Sequence, residues 1–389
     1  MIRKAMIRKA TLVVLLSGAL LLANDTKTVV EGSGYFPVMI RLKSGELLAV
    51  LRGGGAHVDV KGRLDTVMSR DGGKSWSSPR AAIDEEFDDR NPALGQTKDG
   101  TVILAYSIAK NYDETGRKFR GSRADRVFDG VYLMRSKDKG QTWSKPERSE
   151  AIHSFYSGKG LVSPYGKIVQ LGNGTLLMAV YFEFFDGRGF QSYVFRSTDA
   201  GKSWGEPALM GAGFNETGIT VLRNGEVLAA LRSGKGQSLS IARSTDSGRT
   251  WSSPVQVTAD MEHPGDLIAL KDKRVLLTYG ERNAPRGVRA LLSHDDGKNW
   301  DKEKMVILED AATNVDCGYP SSVQLPDGRV VTMYYMVDDP KNTPVSAKAK
   351  AVTWTPARNE AKITVTSGSA QRVAGGACTG RCASAGRSP

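Results

Sequence analysis

The sequence predicts an all-β fold, a six-bladed β-propeller, and three observations carry that expectation. The pattern S-x-D-x-G-x-x-W occurs five times, at Ser69–Trp76, Ser136–Trp143, Ser197–Trp204, Ser244–Trp251 and Ser293–Trp300. A two-residue turn precedes a strongly apolar run six times. Both series recur at intervals of about 50–70 residues, the length of one supersecondary repeat, and no long stretch carries the apolar period of a helix.

The six turns are Ser44-Gly45 before ELLAVLR, Asp99-Gly100 before TVILAYS, Asn173-Gly174 before TLLMAVYF, Asn224-Gly225 before EVLAALR, Asp272-Lys273 before RVLLTYG and Asp327-Gly328 before RVVTMYY. Each joins the first and second strands of a unit as a hairpin. In five units a further apolar strand leads into the S-x-D-x-G-x-x-W turn. There Asp supplies an acceptor for backbone N–H groups, Gly takes positive φ, and Trp covers the turn with an apolar face. These are folding residues rather than chemical ones. The sixth unit reaches Trp354 without such a turn, so its outer strand is expected from Lys27–Glu31, which closes the ring and removes exposed edges.

Ahead of this domain, residues 1–23 place Arg3, Lys4, Arg8 and Lys9 before the apolar run Thr11–Ala23, the layout of a cleaved secretory signal. The propeller is expected over residues 24–366, followed by a disordered Gly/Ala/Ser-rich tail over 367–389. The mature protein is expected to be secreted or periplasmic, with no membrane span. Its oligomeric state is not specified by the sequence.

Lys and Arg number 54 against 42 Asp and Glu, a formal net charge of +12. No basic run survives beyond the signal, which argues against nucleic acid as a partner. The three cysteines, Cys317, Cys378 and Cys382, make neither a metal set nor an evident disulfide framework. Neither a metal nor another cofactor is expected. Cys317 reads as a buried thiol.

In a propeller the first strand of each blade lines the channel, and one rim gathers the loops entering it and those leaving the second strand. Ionisable residues concentrate at that rim. Strand entries hold Arg90-Asn91-Pro92, Asn215-Glu216-Thr217, His263-Pro264 and Asp316 to Pro320, and second-strand ends hold Arg52, Arg232 and Arg282. A purely structural ring has little use for such convergence, because each buried charge must be paired.

The repeated turns resemble the Asp boxes of sialidases (neuraminidases), and the resemblance spans roughly Gly34 to Trp354. FNETGITVLRNGEVLAALRS, from Phe214 to Ser233, is similar to the segment where a Glu enters one strand and an Arg ends its partner, which implies those roles for Glu216 and Arg232. CGYPSSVQLPDGRVVTMYY, from Cys317 to Tyr335, is similar to the strand carrying the nucleophilic tyrosine, which implies Tyr319. The resemblance further implies Arg286 as a second holder of the substrate's acidic group, with Arg52, Arg63 or Arg90 reaching in from a neighbouring blade. It implies a general acid in the loop RGGGAHVDVKGRLD, where Asp59 is the candidate and His57 the reserve.

Such a constellation has a chemical sense. A phenol is a weak nucleophile until a carboxylate takes its proton, and a neutral nucleophile suits a substrate bearing its own negative charge. Guanidinium groups hold that charge by bidentate hydrogen bonds. The expected activity is hydrolysis of a terminal, sialic-acid-like sugar from a glycan. The alternatives are the same chemistry on another sugar, or a non-catalytic glycan-binding propeller. One departure bears on the choice: the first inner strand opens Tyr35-Phe36-Pro37, with Phe36 where the family pattern has an arginine.

Overall fold

The computed structural model describes residues 25–156, 160–338 and 347–356. The expected signal and tail, with Cys378 and Cys382, lie outside the described residues. Those described are almost entirely β-strand and turn, in a β-propeller-like arrangement.

Four sheets have four strands each and one has eight. The first sheet runs through Tyr35–Arg41, Leu47–Gly53, Arg63–Ser69 and Arg80–Ile83. The eight-stranded sheet is two antiparallel runs of four, one beginning at Asp88–Gln96 and the other at Gly160–Gln170. Only the parallel pairs Gly166 with Ala93 and Lys167 with Leu94 join them. Phe214–Val221 and Glu262–Ala269 begin the next two sheets. The last begins at Cys317–Gln324 and continues through Val330–Val337 and Ala347–Trp354. Its fourth strand is Asp25–Val30, paired antiparallel from Asp25 with Thr353 to Val30 with Ala349. The chain's early segment thus completes the final sheet, beginning slightly before the Lys27 expected.

Packing proceeds in cyclic order. Apolar side chains of each antiparallel run face those of the next, as where Leu48 and Val50 meet Leu94 and Leu104, and Val180 and Phe195 meet Ile103 and Leu133. The order closes where Met39, Leu47 and Val67 of the first sheet pack on Val323, Val331 and Met333 of the last. Strand alternation explains this: every second side chain goes to one neighbour and the intervening ones to the other, so both faces of a sheet are apolar.

Each run's first strand breaks register once, near its start in all but Gly160–Gln170. The breaks fall between Tyr35 and Val38, Arg90 and Ala93, Tyr165 and Val169, Phe214 and Thr217, Glu262 and Gly265, and Gly318 and Ser321. Phe36, Asn91 and Tyr319 take φ of 51°, 53° and 49° there, each directly before a proline. A break of this kind bends the strand and re-aims one side chain. The same device, repeated, turns a chosen residue toward the middle of the ring.

The five S-x-D-x-G-x-x-W turns have one hydrogen-bond pattern. In the first, Ser69 Oγ receives the Gly73 N–H at 2.8 Å and donates to Asp71 at 2.9 Å, while Asp71 receives the Ser75 N–H at 2.9 Å. The turn glycines hold φ between 79° and 91° and press against the preceding sheet, so that a Cβ on Gly201 would collide with Ile103 and one on Gly297 with Leu228. Donors from Ser75 and Thr142 hold the Asp71 and Asp138 carboxyls down to about 2. A carboxyl depressed on folding stabilises the native state above its unfolded value of 3.8 and loses that contribution as pH falls toward about 2. An Asp138→Asn variant should therefore melt at lower temperature at pH 7. Between pH 3.8 and about 2 it should lose less stability than the parent, a difference that melting curves across that range would measure.

Candidate active site

Three ionisable side chains from the Phe214–Val221 sheet and the last sheet meet at one point. The Tyr319 hydroxyl donates to Glu216 Oε1 at 2.7 Å, Arg232 Nη1 forms an ion pair with Glu216 Oε2, and the same nitrogen donates to the Tyr319 oxygen at 3.2 Å. Glu216 and Tyr319 sit at the register breaks of their strands, and Arg232 lies near the end of Val227–Ser233, beside Glu216's strand. All three groups are largely buried.

Burial and the Glu216 charge raise the Tyr319 phenol well above its ordinary range, with Arg232 and Arg282 opposing them only in part. The phenol is therefore neutral at rest. It can become nucleophilic only as its proton passes to Glu216 during bond formation.

Around this contact the walls differ. On one side stand aromatic rings, with Phe36 at 4.8 Å, Tyr335 at 5.6 Å and Tyr165 at 6.2 Å from the Tyr319 centroid. Arg282 places its guanidinium 5.7 Å from the Tyr319 ring centre and donates to the Cys317 carbonyl at 3.3 Å. His263 is fully buried, and desolvation with the charges of Arg232 and Arg282 holds it neutral. A cleft of about 490 Å³ opens beside Glu216 and Arg232, lined also by Tyr181, Glu183, Phe190 and Arg123. Clefts of about 600 and 510 Å³ lie at the other end of the sheets, among the hairpin turns and the first Asp-box turn, away from Glu216 and Tyr319.

The structure brings Tyr319, Glu216 and Arg232 together, but it puts other expected residues elsewhere. Arg52 is fully buried and bonds the Asp88 carboxylate at 2.9 and 2.7 Å, so the anion it holds is internal. Its remaining donors go to the Ala56 and Asp59 carbonyls, the second at 2.9 Å. Arg90 shares the same carboxylate at 3.1 Å and reaches the His57 carbonyl at 3.5 Å. These two arginines hold the loop after the first hairpin rather than presenting guanidinium groups to a ligand. Asp59 is buried within that loop, receiving the Lys61 N–H at 3.0 Å and the Ala56 N–H at 3.5 Å.

His57 is different: its Nδ1 lies 2.8 Å from Asp316 Oδ2 and its side chain is 32% exposed. Arg286 is half-buried at the start of its strand, with its Nε unpartnered, and its charge acts on Cys317. Cys317 is buried and free, and burial pushes its thiol up to about 11.

Sequence reasoning did not assign Arg282, Asp316 or Tyr335 to the site. Arg282 carried a signal, since it stands just past the second strand of its hairpin, two residues beyond the place that Arg52 and Arg232 hold in theirs. Asp316 carried one in its place among the rim's strand entries, without a role, and Tyr335 carried none.

A family model described as a BNR repeat-like domain matches residues 68–332. The chain belongs to this family of BNR repeat-like proteins. Solved structures agree in fold. A protein of unknown function from Dyadobacter fermentans superposes with a TM-score of 0.70 at 27% identity, covering 85% of this chain and 98% of that one. NanB sialidase from Streptococcus pneumoniae gives 0.66 at 14% identity, covering 86% and 71%. The intramolecular trans-sialidase from Ruminococcus gnavus gives 0.61 at 16%, covering 85% and 96%. No curated protein matches by sequence.

Within this BNR-repeat ring, the Asp88 carboxylate neutralises Arg52 with neither group exposed. Removing one partner of such a pair leaves an uncompensated charge and costs about 3–5 kcal/mol. An Arg52→Ala variant should show a loss of that order in denaturant unfolding.

Proposed function

We propose that this protein is a retaining exo-glycosidase that removes a terminal, negatively charged sugar from glycans, built on six blades. The count takes the eight-stranded sheet as two blades touching through a two-residue parallel contact. The observation that carries the activity is the 2.7 Å hydrogen bond from the Tyr319 hydroxyl to Glu216, with Arg232 on both. In this reading Tyr319 attacks the anomeric carbon as its proton passes to Glu216. Water then displaces the tyrosine from the same face the leaving group left, so configuration is retained.

The residues also favour a charged substrate. Arg232 and Arg282 both stand by Tyr319, and a sugar carboxylate arriving between such groups would gain charge-assisted hydrogen bonds. Arg286 is the reserve holder. The aromatic wall of Phe36 and Tyr335 offers the apolar face of a sugar ring a surface to rest on. Export from the cytoplasm, which the N-terminal segment implies, would bring the protein to its glycans.

A second reading is a glycan-binding propeller without turnover. Its support is that Phe36, Arg52 and Arg90 offer the ligand no free guanidinium from the first two runs. The two readings separate in one experiment, in which the protein is assayed on aryl glycosides of N-acetylneuraminic acid and of neutral sugars, with ligand binding measured in parallel. Hydrolysis giving first the retained anomer by NMR is expected, with at least a thousandfold loss of kcat in Tyr319→Phe, roughly the scale of removing a nucleophile, and no change in Tm. Full activity in that variant overturns the nucleophile, and binding without any hydrolysis supports the second reading.

A further inference from the structure

The mechanism above needs a proton for the departing oxygen, and Asp59 has its carboxylate turned to its own loop's amides. We propose that His57, oriented by Asp316, gives that proton and later takes one from the attacking water, an inference that rests on reading Tyr319 as the nucleophile.

Geometry supports this in three ways. Asp316 accepts from two sides, its Oδ2 lying 2.8 Å from His57 Nδ1 and its Oδ1 receiving the Tyr335 hydroxyl. Burial opposes its ionisation, yet His57 and Tyr335 hold the carboxyl down to about 2, so it is an acceptor at neutral pH. Facing that acceptor, Nδ1 keeps its hydrogen, and in this proposal Nε2 carries the second, transferable one. No described residue bonds Nε2, and the side chain reaches solvent.

Next, a single ring separates His57 from the nucleophile. Phe36 touches both, with its centroid 4.9 Å from His57 and 4.8 Å from Tyr319, and Asp316 lies three residues before Tyr319. Finally, the loop is fixed. Arg52 and Arg90, both anchored on Asp88, hold the carbonyls of Ala56, His57 and Asp59. A base held by a carboxylate on its far nitrogen is the arrangement that makes an imidazole a directed proton carrier.

The steps balance. In the first, the bond from the Tyr319 oxygen to the anomeric carbon forms and the phenolic proton moves to Glu216. The glycosidic bond breaks with its electron pair on the leaving oxygen, which takes the proton from His57 Nε2. In the second, a water oxygen bonds to the anomeric carbon and gives a proton to Nε2. The tyrosine–carbon bond breaks with its pair on the phenolic oxygen, and Glu216 returns its proton there.

Leaving-group dependence tests the assignment, because a methyl glycoside needs the proton and a 4-methylumbelliferyl glycoside scarcely does. On the sugar that the parent cleaves, His57→Gln should lose about 10²–10⁴-fold in kcat with the methyl glycoside and less than about tenfold with the aryl one. Asp316→Asn, a positioning change, should show the same split in smaller measure with KM unmoved. Equal losses on both substrates, no loss, or a split in Asp59→Asn instead would overturn the proposal. Should Tyr319→Phe stay active while His57→Gln shows the split, the nucleophile falls and the proton donor stands. Absence of turnover by the parent on every glycoside overturns both.

Discussion

Everything at the site follows from the cyclic packing of the sheets. Glu216 and Tyr319 are far apart in the chain and belong to sheets that are not sequential neighbours, with the Glu262–Ala269 sheet between them. Their side chains meet because apolar faces on both sides of every sheet force a closed order, and closure brings all the first strands to one axis. A phenol, a carboxylate and a guanidinium can then be buried together, each satisfying another. Apart, each would carry a desolvation cost without compensation.

A second buried cluster prepares the ground for the first. Asp88 binds Arg52 and Arg90 and receives the Tyr112 hydroxyl, and the two arginines hold the loop that carries His57. Charge here fixes backbone, and the loop is pinned from the second run as well as the first. Phe36 then stands between this loop and Tyr319, giving a ring edge where a charged side chain would compete for the same anions.

The repeat was legible in the sequence because its cause is local. An Asp, a Gly and a Trp at fixed offsets dictate the same turn wherever they occur, and Asn-Gly or Asp-Gly dictates a hairpin. Glu216, Arg232 and Tyr319 were legible through motifs on the same strands. Arg52 and Arg90 were not, since a guanidinium at a strand end looks the same whether its partner is a ligand or a buried Asp88. Asp316 stayed hidden for the complementary reason: its partners, His57 and Tyr335, come from a distant loop and from the neighbouring strand. The register breaks were equally invisible, because no residue type marks all six.

Those breaks have a further meaning. Phenylalanine, asparagine and tyrosine occupy equivalent left-handed sites before proline, a backbone that of the three only asparagine adopts readily, and at Phe36 and Tyr319 the site carries strain of roughly 1–3 kcal/mol. The strand, held by its neighbours, sets the posture, and the side chain is simply what it presents. Each blade thus works as a socket accepting a different tool, so the hub can be refitted by single exchanges while the surrounding walls stay as they are.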